Sequence, residues 1–308
     1  MKDLDFCTPH DIPAEFLTFN QNIETLDVGT PGKTGILRIV LEKDQTKNRT
    51  ILTEQYSQVP LYTQKALHYD DANPAMAYLF IMSSSGGILQ GDRYRMDIVL
   101  KNNALANITT QGATRIYKMD SNYATQLLNI DVEKNCYLEF IPDQIIPYKN
   151  SRYYQKVNIA AHDSATVVYS EVVSPGRAAM GELFDYDLCY LRTVGKNQKG
   201  DVKFIDSSML NPKKQKFSSL GILEGHTLFG TIYILTKNHT QNIQEKINSL
   251  FENNNQVTGG CSFLPENSGL IIRLVVNNFD DIKTTIYQVI RVVRKEILNS
   301  TFEGIRKT

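Results

Sequence analysis

The sequence predicts a mainly β protein, a sandwich, barrel or layered sheet, with a β-α-β-α portion at its C-terminal end. Three observations carry this. Short segments rich in β-branched and aromatic residues follow one another closely over the first 236 positions. Asn, Asp, Gly and Pro separate them, as strand connections require. Helical periodicity appears only near the end, in two segments.

RYRMDIVL (93–100) alternates cleanly. Tyr94, Met96, Ile98 and Leu100 share one face, and Arg93, Arg95 and Asp97 the other. A period of two marks a half-buried strand. ILRIVLE (36–42), AYLFIMS (77–83), QLLNIDV (126–132), CYLEFI (136–141), TVVYSEVV (166–173), YDLCYLR (186–192) and LFGTIYILT (228–236) read the same way. No strict repeat demands a regular solenoid. The asparagine-rich KNNALAN and FENNNQ read as turns. NIQEKINSLFEN (242–253) predicts a helix with Ile243, Ile247, Leu250 and Phe251 on one face. DDIKTTIYQVIRVVRKEILN (280–299) predicts a longer one, striped by Ile282, Ile286, Val289, Ile290, Val293 and Ile297. Asp280 and Asp281 are expected to cap its start, and Arg291, Arg294 and Lys295 to complement the dipole at its end. GLIIRLVVN (269–277) between them reads as a buried strand. A boundary near 215–225 is expected within NPKKQKFSSLG, with the C-terminal part packed on the preceding sheet.

Lys+Arg and Asp+Glu both number 33, so the formal net charge is zero. Nucleic-acid binders carry a basic excess or stripe, and none exists here. A chain near zero net charge self-associates readily, which suits life in a complex. Cys7, Cys136, Cys189 and Cys261 lie far apart with no CxxC. Buried, reduced thiols are expected, not a zinc ribbon or a disulfide framework. No secretory h-region and no apolar run of spanning length is evident. The expected location is the cytoplasm, away from membranes.

GGILQGD (86–92) invites a nucleotide reading, which fails. A phosphate loop needs Gly-Lys-Ser/Thr, whereas Gly91 precedes Asp92, an anion. A dinucleotide loop needs a following helix, whereas a strand follows. The expectation is a strand connection whose glycines take positive φ. TTQGATRIYKM (109–119) clusters Thr, Gln and Arg, which satisfy turn backbone or bind an anion. LEFIPDQIIPY (138–148) sets Glu139 and Asp143 four apart, on similar faces of an extended chain. SEVVSPGRAAMGELFDYD (170–187) holds Glu171, Arg177, Glu182, Asp185 and Asp187, and VKFIDSSML (202–210) ends on a strand closed by Asp206. Isolated carboxylates are usually solvated surface charges. Lining a channel, their oxygens would instead hold a hard divalent cation weakly and pass it on. His10, His68, His162, His226 and His239 form no HxH or HExxH pattern, and no GxSxG nucleophile occurs.

PLYTQKAL (60–67), SSGGILQGDRYRMDI (84–98), TTQGATRIYKM, LEFIPDQIIPY, GRAAMGELF (176–184) and GLIIRLVV (269–276), in this order, resemble the urease accessory protein family UreD, also called UreH. The resemblance runs from about residue 30 to the end, and several motifs match in register. Asp143 departs from the usual Glu or Gln after the proline. Residues 1–30 read as an N-terminal extension without a counterpart, and 31–308 as one UreD-like domain.

The resemblance implies layered or helix-like β-sheets and no catalysis. It implies a scaffold that binds apo-urease and a helical UreF-like protein, with a UreG-like GTPase joining through it. No permanent cofactor is implied, and nickel is cargo, carried through a polar tunnel. Asp92, Glu139, Glu171, Glu182 and Asp206 are the candidate residues of the nickel path. Gly86, Gly87, Gly91, Thr109, Thr110, Gln111, Arg115, Gly176, Arg177 and Gly181 are the motif's structural residues, with Arg115 an expected internal ion-pair partner. The alternative is a β-rich carbohydrate hydrolase with a carboxylate pair roughly 5 to 10 Å apart. The absence of tryptophan speaks against it.

Overall fold

A strand that alternates inward and outward residues needs a second layer to cover its inner face, and here the chain supplies that layer with its next strand. The structure, a computed structural model, describes residues 2–20, 32–219, 221–252, 254 and 256–307. Two sheets of seven and ten strands lie face to face. The first sheet holds β1 (Thr34–Asp44), β2 (Arg49–Gln58), β5 (Arg93–Lys101), β8 (Ala124–Val132), β11 (Arg152–Ala161), β13 (Leu188–Asn197) and β14 (Val202–Leu210). The second holds β3 (Leu61–Thr63), β4 (Ala77–Ser83), β6 (Leu105–Thr110), β7 (Thr114–Ile116), β9 (Tyr137–Phe140), β10 (Ile145–Pro147), β12 (Thr166–Val173), β15 (Leu228–Leu235), β16 (Thr258–Phe263) and β17 (Leu270–Val276).

From β4 to β13 the chain passes from one sheet to the other and back, adding a parallel strand to each in turn. The helix-like layering expected from the family resemblance is thus present. It needs no sequence repeat, only an inward-facing alternate residue in each coil. Asparagines make the corners. Asn102, Asn103 and Asn135 take positive φ, which Asn tolerates better than most residues. The Asn135 amide donates to Asn103 Oδ1 at 3.2 Å, linking successive corners. Antiparallel strands close both ends of each sheet: β2 and β14 on the first, β3 and the β15-β17-β16 group on the second.

Three apolar clusters result. The largest fills the space between the sheets, with Tyr94, Met96, Ile98 and Leu100 among its members, as the alternation of β5 predicts. The second lies on the outer face of the ten-stranded sheet, under α3 (Thr240–Glu252) and α4 (Phe279–Leu298). The third lies on the outer face of the seven-stranded sheet, under α1 (Lys2–Cys7) and α2 (Ala14–Leu17) or the chain between and after them. There Phe16 is fully buried against Tyr123 and Tyr154. Lys156 donates to Asp11 at 2.6 Å, and Arg95 stacks on Phe6. The N-terminal extension, given no role from sequence, therefore covers that face; its residues 21–30 lie outside the described set.

Beyond residue 228 the order is β-α-β-β-α. Glycine-rich TGGCSF pairs as β16, a strand that periodicity does not reveal. β15 pairs directly with β12, so the C-terminal part continues the second sheet. The stripe on α4 is buried as predicted, but its start is capped by Asn278, whose side chain accepts from the Asp280 N–H. Arg294 does not sit at the dipole's exposed end; it is fully buried. Asn253, Asn255 and Leu220, which fall in the expected helix stop and the expected boundary, lie outside the described residues.

Candidate functional site

A cavity of about 330 Å³ opens between the sheets at the end where β4, β6 and β7 meet. Gly86, Gly87, Thr110, Gln111 and Arg115 line it toward the surface, and Gln126, Gln155 and Glu171 line it in the interior. Two motifs distant in sequence thus build one mouth. Gly87 is required by close approach and not by positive φ, whereas Gly86 abuts the end of a movable side chain. Only Gly91 of the three takes positive φ. A Cβ on Gly86 would stand 2.8 Å from the Tyr117 hydroxyl, and one on Gly87 2.7 Å from the Arg115 carbonyl oxygen. Close backbone approach is what excludes a side chain at Gly87. The mouth continues outward through Tyr117, which packs on Tyr148, on which Arg177 in turn stacks. Arg177 and Glu182 pair across the turn of Gly176 to Gly181, and Met180 and Leu183 stand exposed on it.

At the cavity's inner wall Glu171 Oε1 accepts from Gln155 Nε2 (2.9 Å), the Tyr169 hydroxyl (2.8 Å) and Thr193 Oγ1 (3.3 Å). Oε2 makes no hydrogen bond among the described residues. None of the three donors is a cation. Burial therefore pushes this carboxyl up to about 7; the hydrogen bonds only partly offset the push, and the charge of Asp206 adds to it.

Strand register extends the polar groups into a track. Across the seven-stranded sheet Gln126 stands beside Gln155, their amides bonded at 3.1 Å. Across the ten-stranded sheet Glu171, Thr231 and Arg273 stand on neighbouring strands. Thr193 pairs with Asp206 on β14. Arg273 donates to both Asp206 oxygens, at 2.6 and 2.7 Å, and the Tyr233 hydroxyl donates to Oδ2 at 2.6 Å. The interior is thus polar from the cavity to the edge where β14 faces β17. Stacked rings of Phe140, Tyr169, Tyr233 and Phe204 flank this line.

Of the five candidate carboxylates, the structure brings Glu171 and Asp206 to this track and places the other three elsewhere. Asp92 is fully buried but spent on the fold. Its Oδ1 accepts the Gly32 and Lys33 N–H groups, and its Oδ2 the Leu89 N–H and the Tyr94 hydroxyl. It ties the start of β1 to the start of β5. Glu139 faces away from the cavity, toward α4, and Arg294 binds it through two nitrogens at 2.6 and 2.7 Å. Asp143 lines the cavity instead, held by Lys307 at 2.6 Å, so the two do not share a face. Glu182 lies on the surface turn. Asp206 sits in the middle of β14 and does not close it. Arg115 is exposed and forms no ion pair among the described residues, contrary to expectation. Thr109 donates to the Ile141 carbonyl at 2.6 Å and has a structural part.

Gln126, Gln155, Thr193, Tyr233 and Arg273 are absent from the sequence-based candidates. The one available signal was polar residues at inward positions of otherwise apolar strands, Gln126 at the head of QLLNIDV and Arg273 inside LIIRLVV. Among the described residues no three His, Cys, Asp or Glu side chains gather closely enough to hold a metal ion. All four cysteines are buried, and burial pushes Cys136 up to about 11, Cys261 up to about 12 and Cys189 well above the usual thiol range, so these three stay protonated thiols. Among the described residues no helix is long and apolar enough to cross a membrane.

Comparison with known proteins agrees with this architecture of motifs. The family described as UreD urease accessory protein matches residues 33–306. The urease accessory protein UreD of Cenarchaeum symbiosum is 41% identical over 283 residues, covering 92% of this chain and 99% of that protein. Urease accessory protein UreD 2 of Brucella canis is 34% identical over 290 residues, covering 93% and 95%. UreD of Yersinia pseudotuberculosis is 35% identical over 276 residues, covering 89% and 85%. The hydrolase alternative is set aside by these matches. The N-terminal residues 1–32 fall outside the family match, while the cavity, the interior track and the buried Glu139–Arg294 pair all fall within it, and this chain belongs to the UreD urease accessory protein family.

Proposed function

We propose that this chain is a non-catalytic scaffold of urease maturation, and that nickel crosses it along the interior polar track. In this reading it binds apo-urease and a UreF-like helical protein, through which a UreG-like GTPase delivers the metal. The observation that carries the reading is Glu171, a buried carboxylate with no cationic partner and one oxygen left over beside a cavity. Its donors are neutral amides and hydroxyls, and hard oxygen ligands hold nickel loosely compared with imidazole or thiolate. A track of this kind passes a cation on. Protonated cysteines offer no thiolate trap along the way. The exposed Met180 and Leu183, on the turn that continues the cavity mouth, supply an apolar contact for a protein partner. The buried, protonated thiols of Cys136, Cys189 and Cys261 suit work in the cytoplasm.

The test is co-expression with the UreF-like protein of the same source, followed by size-exclusion chromatography with light scattering. A co-eluting complex of defined mass is the expected result. A chain that runs alone and ignores that partner contradicts the scaffold reading.

A further inference from the structure

The track has two ends of different character. One is the cavity. The other is the slot between the last strand of the seven-stranded sheet, β14, and the continuing strands of the ten-stranded sheet. Arg273 spans that slot. Its Nη2 grips both oxygens of Asp206, and its Nη1 donates to Thr231 Oγ1 at 3.2 Å. Thr231 stands directly between Glu171 and Arg273 in the register of the sheet. The Arg273 side chain is 49% exposed and that of Asp206 17%.

We propose that the Arg273–Asp206 pair is a displaceable plug that closes this end of the track to divalent cations. The inference rests on the interior-track reading and adds the device that controls it. At rest the guanidinium occupies the one carboxylate that a cation leaving Glu171 would next meet. A divalent cation that reaches Asp206 competes for the same two oxygens, and the guanidinium, half in water, swings out at low cost because exposed pairs are weakly held. The Glu139–Arg294 pair could not act this way: both its side chains are 0% exposed, and opening it would strand two charges in the interior. Arg273 is therefore a positioning residue for cargo passage, acting through Asp206.

Two measurements on the full chain test the plug. In the first, terbium(III), a carboxylate-seeking ion, is titrated into the native chain and the Arg273→Gln variant, and tyrosine-sensitised emission is read. Tyr233, bonded to Asp206, is the sensitiser, and no tryptophan competes. The variant should gain emission that Arg273→Gln/Asp206→Asn loses again. No gain overturns the proposal. In the second, urease activation at limiting nickel is followed in cells co-expressing urease and its accessory proteins. Arg273→Gln should speed activation about two- to fivefold, the scale at which partly exposed ion pairs act. An unchanged or slower rate overturns the plug. Glu171→Gln, run beside it, separates the causes. Slower activation there with no effect of Arg273→Gln removes the plug and keeps the track; no effect of either removes both. If Arg273→Gln fails to fold, Arg273→Lys replaces it: a lysine cannot hold Asp206 and Thr231 together through one planar guanidinium, and a rate equal to native then counts against the plug.

Discussion

Glu139 and Glu171 lie on neighbouring parallel strands of one sheet, and both are buried, yet their surroundings are opposite. Glu139 faces outward, beneath α4. It takes two bonds from Arg294, one from Asn107 at 2.6 Å and one from the Tyr137 hydroxyl at 2.8 Å. Arg294 also binds Asp70 at 2.6 Å and the Tyr78 hydroxyl at 2.9 Å, so the cluster locks the last helix to the coil. Glu171 faces inward and meets only neutral donors. A fully paired carboxylate has no reason to bind a passing cation. One that burial has starved of a counter-charge gains from it. The partner, not burial or residue type, separates the two acids.

The sharpest break of this contrast is Arg294→Met. It should leave Glu139 and Asp70 buried without their cation and cost ~3–5 kcal/mol, read from urea denaturation of the complex or the chain. A loss under about 1 kcal/mol would show that the lock is not there.

The pH dependence of stability sharpens the other side. An ordinary Glu titrates near 4.5, and Glu171 is raised to about 7. The folded chain thus holds the extra proton between those values. Its contribution is full below about 4.5 and is lost as pH rises through about 7. Glu171→Gln should abolish that loss, leaving the variant on the order of 1–3 kcal/mol more stable than native at pH 8. Parallel melting curves for the two from pH 5 to 8 would refute the raised pKa.

The smallest effect should come from Glu182→Gln. Its pair with Arg177 is at the surface, and melting should not change measurably. A clear drop would mean that the 176–184 turn carries more of the fold than its exposure suggests.

The sequence made the apolar half of this contrast legible and hid the polar half. The alternation in β5 and the stripe on α4 follow from periodicity, because burial selects apolar residues at regular spacing. Arg294 broke the rule: a cation near a helix end reads as a dipole complement, and only the distant Glu139 and Asp70 make it a core residue. Glu139 and Glu171 look alike in one dimension, since each sits in a β-branched or aromatic strand. Which one meets a cation depends on a residue far away in the chain: Arg294, 155 positions on, reaches Glu139, while Glu171 meets Gln155, Tyr169 and Thr193. The partners of Asp92 were hidden for a related reason. Its motif position was informative, but its backbone partners Gly32 and Lys33 come from a segment 59 and 60 positions upstream. β16 escaped because glycine marks turns and strand ends alike, whereas the corner at Asn102 and Asn103 lies in KNNALAN, which reads as a turn.

The most direct measurement of the central claim is the rate of urease activation at limiting nickel in cells carrying Glu171→Gln, with co-purification confirming that the complex still forms. The account predicts a fall of about tenfold, the factor that ~1.4 kcal/mol of lost cation–carboxylate interaction supplies, with assembly intact. A native rate in an intact complex would contradict it and return Glu171 to the structural residues.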